Sequence, residues 1–273
     1  MVRQPAVAGQ FYSATPDGLE AEVARYTPSD AVPHAVTGVV CPHAGLMYSG
    51  HVAGAVYGRV LLPGTVILIG PNHTGFGPPV SVYPDGAWLV PGGDVAVDRA
   101  LAEAILSRCP LAQADVEAHE TEHCLEIQLP FLRRVRPGVR IVPIVLGTTE
   151  EAVCRELGEC LAAAIVTHAA REGPAAQPLL IASTDMNHYE PDAVTRRKDQ
   201  VAIEAIQRLD PEGLLAAVRM HRITMCGCAP TATILYAARA LGASHASLVR
   251  YATSGEISGD YTRVVGYAGL TIA

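Results

Sequence analysis

Short β-branched runs alternate with longer segments of helical spacing along the chain. Six runs predict strands: AVTGVVC (35–41), TVILIG (65–70), RIVPIVL (140–146), PLLIAS (178–183), ASLVRYA (246–252) and TRVVGYAGLTI (262–272). Helices are predicted between them, near 16–26, 50–60, 97–108, 149–170, 194–208 and 230–241. Thr15 followed by Pro16 is a cap residue with a first-turn proline, and Pro230 and Gly242 bracket the last helix in the same logic. Strands that are apolar throughout, rather than on alternate positions, must be covered on both faces. No repeat, low-complexity tract or long linker interrupts the pattern. The expectation is one α/β domain over residues 1–273, with a largely parallel or mixed central sheet flanked by helices on both faces.

In sheets of this kind, ligands bind beyond the carboxyl ends of the strands. The residues that follow three of the predicted strands are Pro42-His43-Ala44-Gly45, Pro71-Asn72-His73 and Thr184-Asp185-Met186-Asn187-His188. Each histidine taken alone reads as a solvated or hydrogen-bonded loop side chain. Three at equivalent strand ends converge in space, and imidazole is both a common metal ligand and an acid or base near neutral pH. His51, His168, His221 and His245 fall in helical patterns or beside a strand start and are expected to be structural or solvent-facing.

Two further stretches bear on this site. In Met225-Cys226-Gly227-Cys228-Ala229-Pro230 a thiol precedes a helix, where the free amides are expected to lower its pKa and make it a metal ligand. The bland reading of the pair is two buried thiols behaving as small hydrophobes. His119-Glu120-Thr121-Glu122-His123 matches the H-E-x-x-H pattern of zinc proteases, which need it on one long helix. Pro130 and Pro137-Gly138 follow closely, so this segment is expected instead to line or support a pocket through Glu122 or His123.

Composition narrows the field of partners. The chain has 273 residues, 49% of them hydrophobic, which suits a folded protein with a sizeable core. Its net charge is −7 with no run of five or six like charges, so neither nucleic acid nor an acidic membrane surface is an expected partner. The opening MVRQPAVAGQFY has no apolar signal region and no segment is long enough to span a bilayer, so a cytoplasmic protein is expected. Seven scattered cysteines, an odd count, imply free thiols.

Several motifs in order carry a resemblance: RQPAVAGQFY (3–12), PHAGLMYSG (42–50), ILIGPNH (67–73), HETEHCLEIQLPFL (119–132), STDMNHY (183–189), MCGCAP (225–230) and TSGEISGDYTRVVGYAG (253–269). Together they resemble the MEMO family, called AmmeMemoRadiSam system protein B in prokaryotes and similar in fold to the class III extradiol dioxygenases. The resemblance implies a mononuclear metal site at His43, His73 and Cys226, with His188 as an acid/base histidine accompanied by Asp185. Asn72, Tyr48, Glu122, His123 and Cys228 are expected to line or support that pocket. Leu46 stands where the family often has tyrosine, and Cys228 adds a second thiol that could take the metal in place of Cys226 or form a redox pair with it.

Iron(II) is the expected metal, with copper next and zinc after it. The implied activity is that of a redox-active or dioxygenase-like oxidoreductase acting on a small molecule or peptide held in the metal pocket. The rival expectation is a regulatory module using the same pocket to bind a peptide or partner, and a third is hydrolysis by zinc held at the same pocket. The family's prokaryotic name further implies association with radical SAM and AMMECR1-type proteins.

Overall fold

In a computed structural model, which describes residues 1–28 and 31–273, the strands in chain order are β1 (Val2–Arg3), β2 (Gly38–Cys41), β3 (Thr65–Pro71), β4 (Val80–Val82), β5 (Ala87–Val90), β6 (Gly93–Ala96), β7 (Gln113–Ala114), β8 (Arg140–Leu146), β9 (Leu179–Ser183), β10 (His188–Glu190), β11 (Ala246–Thr253) and β12 (Val264–Ile272). The main sheet runs β10-β12-β2-β9-β3-β8-β4-β7, with β11 also paired to β12. Its centre, β2-β9-β3-β8, is parallel, whereas β12 joins β2, and β4 joins β8, in the antiparallel sense. This is the mixed α/β sheet expected from the continuous apolar runs.

Both faces are buried, and successive residues show it. Val40, Ile67, Ile69, Val142, Ile144, Leu180 and Ala182 pack into one core cluster, while Val39, Cys41, Val66, Leu68, Ile141, Val145, Leu179 and Ile181 pack into another. Helices Arg99–Arg108, Glu151–Glu172, Asp192–Gln207, Pro211–Met220 and Cys228–Ala240 cover the first face. Helices Pro16–Tyr26, Leu46–Tyr57 and Leu129–Val135 cover the second, with Trp88 wholly buried among them.

The end signals act as expected at two helices. Thr15 Oγ1 accepts the Gly18 amide at 3.3 Å ahead of Pro16, and Gly242 takes a φ of +92° after the last turn of its helix. Helix Leu46–Tyr57 starts four residues earlier than its periodicity indicates, because the Leu46 amide is bonded to Phe11 O at 2.8 Å. Helix Pro211–Met220 and the small sheet β1-β5-β6 were not expected. The helix is nevertheless announced by Asp210-Pro211, since Asp210 Oδ1 accepts the Gly213 amide at 2.8 Å. No helix among the described residues is long and apolar enough to cross a membrane.

Candidate metal centre

Because β2, β9 and β3 are adjacent and parallel, the turns that leave their carboxyl ends are neighbours. His43 comes off β2, His73 off β3, and Thr184-Asp185 off β9. Gly70 has a steric reason to lack a side chain: a Cβ there would strike Cys124 Sγ and lie 2.8 Å from Leu125 Cδ2. The glycine thus lets segment 124–125 press against the strand just before it delivers His73.

Each imidazole is oriented through its Nδ1. Ser183 Oγ donates to Cys124 O at 2.6 Å, so it accepts from Gln128 Nε2 at 2.8 Å and from the N–H at His43 Nδ1 at 3.0 Å. His73 Nδ1 donates to Glu122 Oε1 at 2.8 Å, and the His73 amide donates to Glu122 Oε2 at 2.6 Å. His188 Nδ1 donates to Thr224 O at 2.8 Å while its amide meets Thr224 Oγ1 at 2.7 Å. In all three rings the proton is claimed at Nδ1, which leaves Nε2 as the basic nitrogen.

One donor atom from each of His43, His73 and His123 lies within 4.8 Å of the other two. The His43 ring centre is 5.3 Å from that of His73 and 5.4 Å from that of His123, and His73 and His123 stack at 4.7 Å. Cys226 joins this group at His43, with Sγ 3.3 Å from Nε2. The thiol also accepts the Asp185 amide at 3.2 Å. Asp185 Oδ1 in turn accepts the amides of His43 at 2.8 Å and Ala44 at 3.3 Å, tying the ends of β2 and β9 together.

Burial dominates the electrostatics. It holds His43 well below the ordinary histidine range, and the nearby His123 and His73 add to the effect. Burial alone would also lower His73, but the hydrogen bond and charge of Glu122 outweigh it and leave His73 raised. Burial acts to raise Glu122, yet the hydrogen bond and charge of His73, with the amides of Cys124 and His73, bring it down to about 2. The expected lowering at Cys226 is not found: burial, followed by the charge of Asp185, pushes this thiol up. The helix begins only at Cys228 with Gly227 as its cap, so Cys226 stands outside the turn whose amides were to stabilise a thiolate.

These groups open into a cavity of about 710 Å³. His43, His73, His123, His188, Asp185 and Cys226 line its polar part, and Phe11, Met47, Tyr48 and Tyr267 line its apolar part. No lysine or arginine lines it among the described residues. Glu122 supports the pocket from beneath, fully buried. Asn72 lies outside the lining and instead caps its own turn, Oδ1 accepting the Thr74 amide at 3.0 Å and the Gly75 amide at 2.8 Å. Cys228 packs in the first core cluster rather than in the cavity, and Leu46 is buried in the second.

The H-E-x-x-H residues part company. The helix spans only Glu117–Glu120, so His119 and His123 do not share a helical face. His119 is buried between Tyr83 and Trp88 with Nε2 on Ser81 Oγ at 2.9 Å, while His123 turns into the cavity. The closeness of His123 to His43 and His73 exceeds the supporting part expected of it. Ser183 and Gln128 lie within the quoted motifs and Thr224 just ahead of one, but nothing in the sequence marks Ser183 and Thr224 as ring partners or Gln128 as the support of Ser183.

The donor set fits a metal ion: two imidazoles fixed as Nε2 donors, a third imidazole beside them, and a thiol within reach of the first. The fold and site therefore define an α/β protein with a histidine- and thiol-lined candidate metal pocket at the carboxyl edge of its sheet. The chain belongs to the Memo family, described as Memo-like protein, which it matches over residues 3–271. It is 42% identical to a MEMO1 family protein of Methanopyrus kandleri over 99% of this chain and 98% of that protein. A MEMO1 family protein of Methanosarcina barkeri is 41% identical over 99% of this chain and all of that one, and one of Aquifex aeolicus is 40% identical over 98% of each. Among solved structures, an uncharacterized protein of Escherichia coli K12 shares the fold at 13% identity, with a TM-score of 0.58 covering 87% of this chain and 100% of that chain.

Proposed function

We propose that this chain is a MEMO-family metalloprotein whose cavity holds one redox-active ion, iron(II) before copper, through His43, His73 and Cys226, and that it acts as an oxidoreductase. The observation that supports this reading is the protonation pattern: His43 and His73 each have Nδ1 engaged by an acceptor, which leaves Nε2 free on two rings whose donor atoms group with one of His123 within 4.8 Å, and the Cys226 thiol stands 3.3 Å from His43 Nε2. A bound ion of this type supplies Lewis acidity and electron exchange at its open positions. Glu122 and Ser183 hold the two rings in place, as carboxylate and hydroxyl partners of metal-binding histidines do.

His188 has its Nδ1 tied to Thr224 and lines the same cavity, so its Nε2 can take a proton from a ligand bound there. Phe11, Tyr48 and Tyr267 provide an apolar wall that orients such a ligand and keeps water from part of it. Among the described residues the lining carries no lysine or arginine, which argues against a phosphorylated ligand, whose binding favours arginine forks. Zinc fits the same donors and ranks below the redox metals in this reading.

The test is elemental analysis of protein expressed with iron, copper and zinc together and purified anaerobically under reducing conditions. About one equivalent of iron or copper per chain is expected, lost in His43→Ala. Failure to retain either stoichiometrically would overturn the reading. A His43→Ala protein that loses metal but still captures radical SAM or AMMECR1-type partners would favour the binding-module reading instead.

A further inference from the structure

The motif RQPAVAGQFY forms an N-terminal arm, and its first residue is buried: Arg3 is 4% exposed. The two-residue β1 to which Arg3 belongs offers little ladder to hold it there. The guanidinium is held by other groups. Nε donates to His119 O at 2.6 Å, Nη2 to Glu122 O at 2.7 Å and Nη1 to Glu126 Oε2 at 2.6 Å, while the plane lies 4.1 Å from the centre of the Trp88 ring. Glu126, itself fully buried, also accepts the amides of Ala6 at 2.7 Å and Val7 at 3.1 Å and the hydroxyl of Tyr12. Residues 3–12 are thereby stitched to residues 119–126.

That partner segment has little regular structure to shape it. The helix Glu117–Glu120 ends before Thr121, and the next turn starts at Glu126. Between them, Glu122 must hold both the amide and the ring of His73, and His123 must face the cavity. A planar fork that bonds two carbonyls three residues apart fixes the curvature of this stretch in a way a point charge cannot. At the far end of the arm, Phe11 packs edge-on against His123 at 5.0 Å, and its carbonyl receives the Leu46 amide just after His43.

We infer that Arg3 is a positioning residue of the metal pocket: by clamping the carbonyls of His119 and Glu122, it sets where the Glu122 carboxylate holds His73. The inference rests on the reading of the pocket as a metal site, but its first test does not need a metal. Long-range proton–nitrogen NMR of the histidine rings in the metal-free, full-length protein reports the His73 Nδ1–H bonded to Glu122. Arg3→Met is expected to lose that signature, and Arg3→Lys, which keeps the buried charge next to Glu126, to weaken it.

Cobalt(II) titration supplies the second readout. Arg3→Met is expected to bind about 10–100-fold more weakly than wild type, the range typical for loss of groups that orient metal ligands, with a shifted visible spectrum. Leu209→Ala, a control in the first core cluster on the opposite face of the sheet from the arm, is expected to destabilise the fold and keep the wild-type spectrum. If Arg3→Met does not fold, Arg3→Lys decides by the same criteria. A folded variant with the wild-type His73 ring signals, or with wild-type cobalt affinity and spectrum, overturns the role of Arg3. A wild-type chain that binds no cobalt overturns the metal reading instead, and the ring signals still decide Arg3.

Discussion

Glu122 grips His73 twice, taking its backbone amide at 2.6 Å and its Nδ1 proton at 2.8 Å. The carboxylate therefore fixes both the path of the turn after β3 and the ring nitrogen, Nε2, that is left free. Since Glu122 is fully buried and held ionised down to about 2, it stays charged at any physiological pH.

Glu122→Gln keeps the shape but removes the charge and one acceptor. Metal affinity is expected to fall about 10–100-fold, as for other carboxylate partners of metal-binding histidines. Competition against a chelator of known affinity measures it, and a change below about threefold would remove Glu122 from the account.

The two thiols separate cleanly by substitution. Cys226→Ser is expected to abolish any sulfur-to-metal charge-transfer band and weaken metal binding. Cys228→Ser is expected to leave that band intact and to destabilise the fold by about 1–3 kcal/mol, because it puts a hydroxyl into the core. His123→Ala, assayed alongside, shows whether the third imidazole is a ligand or a neighbour. An unchanged spectrum in Cys226→Ser would transfer the ligand role to His123.

Asp199 predicts a pH dependence away from the cavity. Burial raises its carboxyl to about 7, against the opposing hydrogen bonds from Tyr251 and the Asn187 amide. Between the ordinary carboxylate value and about 7, the folded chain holds a proton that the unfolded chain releases. Stability from this group is therefore highest below pH ~4, declines by up to about 1.4 kcal/mol per pH unit towards 7, and is flat above. Asp199→Asn is expected to remove that decline and to raise the urea midpoint at pH 8. An identical pH profile in wild type and variant would refute the assignment.

Gly227 separates the two cysteines at a point of close approach. A Cβ there would strike Thr184 Cβ and come within 2.6 Å of Ser183 O. Gly227→Ala is expected to cost about 1–3 kcal/mol and to push Cys226 away from His43. Thermal melts and metal stoichiometry check both effects together.

Much of this was legible in the residues. The continuous apolar runs announced a sheet covered on two sides, and the polar residues after β2, β3 and β9 marked its working edge. His43, His73, His188, Asp185 and Cys226 do meet in one cavity. What escaped notice depended on tertiary placement. Nothing local shows that Ser183 and Thr224 will meet histidine rings, because those contacts join residues 140 and 36 positions apart. The thiol was expected to be acidified by its helix, but desolvation, a property of the whole fold, outweighs a cap it does not quite reach.

The cavity's donors are contributed by stretches of chain around residues 43, 73, 123 and 226, and no local element contains two of them. An unfolded or half-assembled chain consequently brings none of these groups together, and an ion held as proposed would wait on completion of the sheet. Binding of the proposed ion would then protect the native state by an amount that grows with the logarithm of free ion concentration.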